Sequence, residues 1–362
     1  MSTLREGSPM VGDAREFTND FEPEKLIGLD LVRACEAAAL SAFRWIGKGD
    51  KEAADAAATD AFRGMLNLME MCGTCSIGEG IKDKAPGIFV GERLGTWRAG
   101  APAYSVALDP IDGTTLTSKG LPGALSVIAA AEVKNPDERG LAAVPSVYME
   151  KIAVGPKVRE GTGTIRLDAP VEQNLELIAL KLGKRVRDLV VCLLDRPRHE
   201  VMIQAIRRTG AAIRLIGDGD VAGAIAPSMP DSGVDVYMGI GGSPEAVLAA
   251  AAIKCLGGEI LARIWPRDDA ERAKLKEAGY GDDELRRVHS TEMMARGDGI
   301  VFAATGITDN AMLRGVRVDG HIARTHSVVM RARSNTVRYI TAFHDLTRKT
   351  IRLGSQPGES QV

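Results

Sequence analysis

The sequence has few aromatic residues and almost no net charge, and each shortage excludes a class of function. Only 4% of the 362 residues are Phe, Trp or Tyr, so the chain offers few platforms on which single-stranded nucleic acids could stack. Its formal net charge at pH 7 is -2, so no overall basic field attracts nucleic acid. We therefore expect no nucleic-acid partner, and any positive charge that binds phosphate must be local.

Long hydrophobic runs are also missing. The longest apolar stretches, residues 124–131 and 246–253, are too short to cross a bilayer, which takes about 20 apolar residues. Residues 1–20 alternate charges with small side chains and contain no apolar segment of the signal-peptide type. We expect a cytoplasmic protein that does not bind a membrane, with residues 1–22 forming a flexible tail.

Cysteine is scarce, and its pattern does not predict a disulfide framework. The five cysteines are odd in number and lie mostly in apolar surroundings, which favours reduced thiols in the core. Cys72 and Cys75 have the C-x-x-C spacing, but no second pair or nearby histidine completes a zinc site. The histidines show no metal or triad spacing, and we interpret them as structural or surface residues.

The first half of the chain combines helices with strands. Apolar periodicity predicts a helical hairpin over residues 26–46 and 51–71. Strands are predicted at 124–133 and 147–154. We expect residues 23–185 to form an α+β subdomain.

The second half has a different rhythm. From residue 189 onward, short apolar strands alternate with helices, which is typical of right-handed βαβ units and a mainly parallel sheet. The apolar segments at 259–265 and 300–305 are expected to extend this sheet. We predict an α/β subdomain over residues 186–345, followed by a polar tail over 346–362.

The most informative stretch is Asp-Pro-Ile-Asp-Gly-Thr at residues 109–114, which follows a short strand. Gly113 allows a tight turn, so the Asp109 and Asp112 carboxylates can converge. Converging carboxylates repel unless protons or cations intervene, and oxygen ligands favour Mg²⁺ or Mn²⁺ over zinc. Thr114 adds a hydroxyl that could hold a water molecule. The alternative interpretation is an Asx-turn that closes a hairpin.

Further acids stand at the ends of other predicted elements. Asp55 lies near the start of the second helix, and Glu79 is framed by two glycines, with Asp83 in the same loop. Glu245 follows a helix start made by Ser243 and a proline. Each acid alone is explained by the helix dipole or by solvent exposure. A separate structural role of this kind for every one of these acids is a less satisfactory explanation than one shared site.

Ligands of parallel sheets bind beyond the carboxyl ends of the strands, and the corresponding loops here suit a sugar phosphate. Arg196 and Arg198 flank a proline and can form a rigid fork for phosphate oxygens. Asp218 and Asp220 can accept hydrogen bonds from sugar hydroxyls, although Asp220 could instead cap a helix. Phosphate-binding groups beside a cluster of acids imply two or more divalent cations, because the acids alone would repel the phosphate.

These motifs resemble a known family. The 109–114 string and the upstream Gly78-Glu79-Gly80 are similar to the metal signature of the inositol-phosphatase-like, lithium-sensitive superfamily. Longer strings in the same order resemble the class II fructose-1,6-bisphosphatases: Gly49-Asp50-Lys51, Ile77-Gly78-Glu79-Gly80, Tyr148-Met149-Glu150-Lys151, Arg196-Pro197-Arg198-His199, Asp218-Gly219-Asp220-Val221-Ala222 and Gly239-Ile240-Gly241-Gly242-Ser243-Pro244-Glu245. The resemblance covers about residues 26–345. It implies a layered α-β-α-β-α sugar-phosphatase fold of the α+β / α/β class, with N-terminal helices on a mainly antiparallel sheet and a mainly parallel C-terminal half.

The resemblance also implies roles for individual residues. Metal ligation is implied for Asp55, Glu79, Asp109, Asp112 and Glu245. Substrate contacts are implied for Asp112, Gly113, Thr114, Tyr148, Arg196, Pro197, Arg198, Asp218, Gly219, Asp220 and Gly242. Lys51, Asp83 and Thr114 match positions linked to catalysis. One departure lies beside Asp83, where Ile81 and Lys84 occupy positions at which the family more often has an acid.

The activity that the resemblance implies is hydrolysis of the 1-phosphate of fructose 1,6-bisphosphate to fructose 6-phosphate and phosphate. The implied enzyme uses metal-activated water with Mg²⁺ or Mn²⁺ and is a homo-oligomer, either a dimer or a tetramer. An alternative substrate is sedoheptulose 1,7-bisphosphate, alone or as a dual activity. An alternative of another class is a non-catalytic sugar-phosphate sensor.

Overall fold

The computed structural model describes residues 27–78, 87–160 and 162–355. The helices in these ranges are α1 (Ile27–Phe43), α2 (Lys51–Leu66), α3 (Thr114–Lys119), α4 (Pro156–Arg159), α5 (Val171–Leu182), α6 (Glu200–Thr209), α7 (Asp220–Ile225), α8 (Ser243–Leu256), α9 (Asp269–Glu277), α10 (Asp282–Arg286) and α11 (Thr291–Met294). The strands are β1 (Cys72–Ile77), β2 (Arg93–Leu94), β3 (Ala103–Asp112), β4 (Leu125–Val133), β5 (Tyr148–Val154), β6 (Val190–Leu194), β7 (Ala212–Ile216), β8 (Val236–Gly242), β9 (Glu259–Ile264), β10 (Val288–His289), β11 (Ile300–Gly306), β12 (Arg317–Asp319), β13 (Ile322–Arg331) and β14 (Thr336–Asp345).

The larger sheet has eight strands and is mainly antiparallel, as the resemblance implies. Its order is β12-β13-β11-β4-β3-β1-β2, and β14 pairs with β13. The pairing of β1 with β3 is parallel, whereas β4 lies antiparallel to both β3 and β11. Because β1 and β4 flank β3, the carboxyl end of β3 lies in the interior of the sheet.

The smaller sheet has six strands in the order β10-β9-β5-β8-β6-β7. β6 pairs in parallel with β7 and β8, whereas β5 lies antiparallel between β8 and β9. Strands β6 to β9 therefore run in one direction, as their alternation with helices predicts. The sheet as a whole is mixed rather than mainly parallel, because β5 comes from earlier in the chain and inserts between β8 and β9.

The two sheets and the helices form five layers, and the layered fold class is confirmed. One core cluster lies between the helices α1 and α2 and the larger sheet. A second surrounds α8, which is packed between the two sheets, and a third lies between the smaller sheet and α5 and α6. Most residues of α8 are buried, as expected for a helix that is apolar on all sides. Among the helices of the described ranges, none has the length and apolarity to cross a membrane.

The sheets divide the chain differently from the expected subdomains. β5 belongs to the smaller sheet, although it precedes the expected boundary at residue 185. β11, expected to extend the C-terminal sheet, instead pairs with β4 and β13 in the larger sheet, and that prediction was wrong. All residues of β11 are buried, and a strand whose only polar side chain is Thr305 carries no signal that tells which sheet it joins.

After β14 the chain returns to α2. The backbone amide of Ser355 donates to Asp60 Oδ1 at 2.7 Å, and its hydroxyl donates to Oδ2 at 2.8 Å. Ile351 and Leu353 pack against the core beneath α2. The described part of the segment expected to be a polar tail, residues 346–355, therefore contacts the folded protein.

Gly64 in α2 gives a test of this contact. A Cβ at Gly64 would lie 2.1 Å from the carbonyl oxygen of Arg352. In a helix, alanine is otherwise more favourable than glycine by about 1 kcal/mol. We expect Gly64→Ala to lower the melting temperature of the full chain and to raise that of a chain ending at Thr350, as measured by thermal unfolding. An equal decrease in both would contradict the steric contact.

The cysteines support a structural role. Cys35, Cys75, Cys192 and Cys255 are buried, and all five thiols are free. Burial raises the pKa of Cys75 to about 12, which disfavours the reactive thiolate. These observations agree with the expected reduced thiols.

Candidate active site

The Asp-Pro-Ile-Asp turn lies at the carboxyl end of β3, where the strand is irregular. The pairing of β3 with β4 shifts by one residue between Asp109 and Asp112. In a regular strand, residues three apart point to opposite faces, but one extra residue can bring them to the same face. The bulge therefore explains how both buried carboxylates reach one site. Asp109 Oδ1 also accepts a hydrogen bond from the backbone amide of Ile111 at 2.9 Å.

Glu245 joins these two aspartates from the first turn of α8. Ligand oxygens of Asp109, Asp112 and Glu245 all lie within 4.8 Å of one another. Gly242 permits this approach, because a Cβ there would lie 1.8 Å from Glu245 Oε2. Acids that are distant in the sequence thus converge at the ends of one strand and one helix.

The convergence makes ionisation of these acids costly in the metal-free protein. Burial raises the pKa of Asp112 well above its ordinary value, and the neighbouring Asp220 and Glu245 raise it further. Burial and the Asp220 carboxylate raise the pKa of Glu245 to about 7. Asp55 in α2 also has a raised pKa because of its burial.

The donor set fits a hard divalent cation. Glu245 Oε2 and Asp55 Oδ1 are buried and have no hydrogen-bond partner among the described residues. Buried carboxylate oxygens without donors are costly unless a cation compensates them. Because the ligand atoms are all oxygens, the cluster suits Mg²⁺ or Mn²⁺ rather than a thiolate- or imidazole-preferring metal.

Thr114 follows the acidic turn as the first residue of α3. Gly113 precedes it in the left-handed conformation, with φ of 100°, which glycine adopts at little cost. The next residue, Thr115, connects two other parts of the site. Its hydroxyl accepts from Lys51 Nζ at 2.8 Å, and its amide donates to Asp218 Oδ2 at 3.2 Å. Lys51 is thus brought from the start of α2 to the residue beside Thr114.

The two predicted phosphate-binding arginines are both held in place. Arg196 Nη1 donates to the carbonyl oxygen of Gly217 at 2.6 Å, and its Nη2 donates to Asp218 Oδ1 at 3.3 Å. Arg198 donates to the carbonyl oxygen of Ile240 from Nε at 3.1 Å and from Nη2 at 2.8 Å. Its guanidinium also lies 4.8 Å from the centre of the Tyr148 ring. These contacts fix the fork before any ligand binds.

Asp220 accepts hydrogen bonds from two residues for which the sequence predicted no role in the site. Its Oδ2 accepts from Lys151 Nζ at 2.7 Å and from the Tyr237 hydroxyl at 2.9 Å. Lys151 and Tyr237 are buried. A lysine in the apolar strand β5 was the available signal, because charged residues are rarely buried without a partner.

His199 was interpreted as structural or surface, and the structure places it inside. Its Nε2 accepts from the backbone amide of Ile240 at 2.7 Å, so Nδ1 carries the proton and donates to the carbonyl oxygen of Leu194 at 2.7 Å. Burial lowers its pKa, which keeps the ring neutral. His199 therefore links the arginine loop to β8.

Most of the predicted site residues line one cavity of about 340 Å³. Those lining it are Asp109, Asp112, Gly113, Thr114, Tyr148, Arg196, Arg198, Asp218, Gly219, Asp220, Gly242 and Glu245. The residues found to line it do not include Lys51, Asp55 or Pro197. Glu79 and Asp83 lie outside the described residues.

Comparison with known proteins agrees with these motifs. The family model of bacterial, glpX-encoded fructose-1,6-bisphosphatase matches residues 25–344. The chain is 42% identical over 332 residues to a class 2 fructose-1,6-bisphosphatase of Haemophilus influenzae, covering 89% of this chain and 97% of the relative. It is 40% identical over 333 residues to fructose-1,6-bisphosphatase 1 class 2 of Escherichia coli K12, covering 89% and 96%. The chain therefore belongs to the family of bacterial, glpX-encoded fructose-1,6-bisphosphatases.

Proposed function

We propose that this protein hydrolyses the 1-phosphate of fructose 1,6-bisphosphate to give fructose 6-phosphate and phosphate. The observation that carries the proposal is the convergence of three carboxylates and two fixed arginines on one cavity. Such a cavity can hold an anionic sugar bisphosphate only if cations offset the acids. The names of the relatives support the same substrate.

We assign the metal ligands to Asp55, Glu79, Asp109, Asp112 and Glu245, with two or more Mg²⁺ or Mn²⁺ ions as the cofactor. The buried oxygens of Asp55 and Glu245 that have no hydrogen-bond partner in the described part of the chain support this assignment. Divalent cations held there would lower the pKa of an attacking water and stabilise negative charge on the leaving sugar oxygen.

The remaining residues bind and orient the substrate. Arg196 and Arg198 anchor the distal phosphate, since both residues border the cavity that is also lined by the acids. Holding that phosphate would place the other in line with the attacking water. The other proposed contacts are Asp112, Gly113, Thr114, Tyr148, Pro197, Asp218, Gly219, Asp220 and Gly242.

Thr114 orients the attacking water through its hydroxyl, and Lys51 and Asp83 assist catalysis. The contact of Lys51 with Thr115 supports the role of Lys51, because this contact places the lysine amino group beside Thr114. In the reaction, the water oxygen bonds to phosphorus, the bond between phosphorus and the C1 oxygen breaks, and that oxygen ends with a proton.

A phosphate-release assay tests the proposal and its alternatives. Fructose 1,6-bisphosphate, sedoheptulose 1,7-bisphosphate and inositol 1-phosphate are each offered with Mg²⁺ or Mn²⁺, with and without chelator. We expect release from fructose 1,6-bisphosphate that chelator abolishes. Faster release from the seven-carbon substrate would make it a sedoheptulose bisphosphatase, and binding without any release would make it a sensor.

We also propose that the enzyme is a cytoplasmic homo-oligomer, a dimer or a tetramer. The edge strand β14 supports this, because its pairing in the described part of the chain is with β13 alone. Tyr339 and Phe343 on one face of it are 50% and 70% exposed. Exposed aromatic side chains on a long edge strand are normally covered. We expect Phe343→Glu to reduce the mass found by sedimentation velocity, and an unchanged mass would exclude this edge as the contact.

A further inference from the structure

Lys151 occupies a position in β5 that should be apolar. Met149 and Ala153, two residues away on either side and on the same face, belong to the core around α8. Lys151 is only 1% exposed, yet its side chain ends on the Asp220 carboxylate. A buried ion pair is on average no more stabilising than well-packed apolar residues, so stability alone gives no reason for this lysine.

The contacts of Asp220 suggest the reason. Lys151 Nζ and the Tyr237 hydroxyl both donate to the same oxygen, Oδ2. Burial and the Asp220 charge raise the pKa of Tyr237 well above its ordinary value, so its hydroxyl stays protonated and donates. Oδ1 is contacted by neither donor, and Asp220 borders the cavity.

The backbone leaves room for close contacts within the network formed by Asp220, Lys151 and Tyr237. A Cβ at Gly241 would lie 1.7 Å from Asp220 Oδ2 and 3.0 Å from Lys151 Nζ, so only glycine leaves room for the pair. On the cavity side, the amide of Val221, the next residue, donates to Asp112 Oδ2 at 3.2 Å. Both the Asp220 side chain and the backbone amide of Val221 are therefore held in place.

We propose that Lys151 and Tyr237 are positioning residues that fix the Asp220 carboxylate so that its second oxygen accepts a hydrogen bond from a hydroxyl group of the sugar. The inference rests on the proposed function and deepens it, because it names the part of the substrate that the network serves. A carboxylate held by two donors loses little further freedom when a hydroxyl binds. The network thus contributes to recognition of the sugar rather than of the phosphate.

Two ligands separate these contributions in the full-length enzyme. Fructose 6-phosphate carries sugar hydroxyls, whereas inorganic phosphate carries none. We expect Tyr237→Phe to weaken binding of fructose 6-phosphate by about threefold to tenfold, measured by calorimetry or product inhibition, and to leave phosphate binding unchanged. The KM for fructose 1,6-bisphosphate should rise by a similar factor while kcat changes less than about twofold. Tyr104→Phe is the matched control. Tyr104 is also buried, but it lies at the end of β3 opposite to the acidic turn.

A second pair of variants separates positioning from folding. Lys151→Met leaves Asp220 buried without its cation and should lower the melting temperature. Adding Asp220→Asn should restore the melting temperature but not the affinity for fructose 6-phosphate. Restored affinity, or equal weakening of fructose 6-phosphate and phosphate in Tyr237→Phe, would overturn the proposal. A wild-type protein that binds neither ligand would overturn the proposed function itself, and this inference with it.

Discussion

Thr114→Ala should lower the turnover number by about a hundredfold or more while leaving the KM for fructose 1,6-bisphosphate within about threefold. Thr114 borders the cavity and follows the acidic turn directly, so its hydroxyl can orient a water without contributing much to ground-state binding. Steady-state phosphate release at saturating Mn²⁺ measures both constants.

Thr114→Ser is the matched control, because it keeps the hydroxyl and removes only a methyl group. We expect it to retain turnover within about tenfold of the wild type. Unchanged turnover in Thr114→Ala would remove this hydroxyl from the mechanism. A KM that rises as turnover falls would instead indicate that the Thr114 hydroxyl acts mainly in substrate binding.

Glu245→Gln should change stability and activity in opposite directions. The pKa of Glu245 is raised from 4.5 to about 7, so its charge destabilises the metal-free fold. That cost is absent below pH 4.5, grows as pH rises and is complete above about 7, where it is on the order of 3 kcal/mol. Glutamine removes the charge, so the metal-free variant should melt at a higher temperature than the wild type at pH 8, and the difference should shrink towards pH 5.

The same substitution should reduce phosphate release by about a hundredfold or more at a fixed, low Mn²⁺ concentration, because a neutral amide is a poorer ligand. Thermal unfolding in chelator and phosphate release in Mn²⁺ measure the two effects separately. A lower melting temperature at pH 8 together with full activity would contradict the role proposed for Glu245.

The turn of the site could be predicted from sequence because its information is local. Asp109, Asp112 and Thr114 lie within six residues, and a strand followed by Pro and Gly predicts where they stand. The bulge that turns both carboxylates to one face could not be foreseen, since it depends on the register with β4. Glu245 was placed at a helix start by local signals, but its approach to the turn is a tertiary contact.

The features that the sequence did not predict all depend on contacts between residues that lie far apart in the chain. Thr305 is the only polar side chain of β11, and so apolar a strand fits either sheet, so its partners are decided by the packing of α1 and α8. The contact of residues 351–355 with α2 depends on the absence of a side chain at Gly64, which no pattern in the tail itself indicates. Lys151 was visible in the sequence, but its partner Asp220 lies 69 residues away.

Mn²⁺ binding, followed by electron paramagnetic resonance, tests most directly whether these carboxylates form one cation site. The wild type should bind two or more Mn²⁺ ions per chain, and Asp112→Asn and Glu245→Gln should each lose at least one or bind it about tenfold more weakly or worse. Asp298→Asn, at an exposed acid far from the site in the sequence, should bind as the wild type does. Identical Mn²⁺ binding by the wild type and both site variants would contradict the shared site.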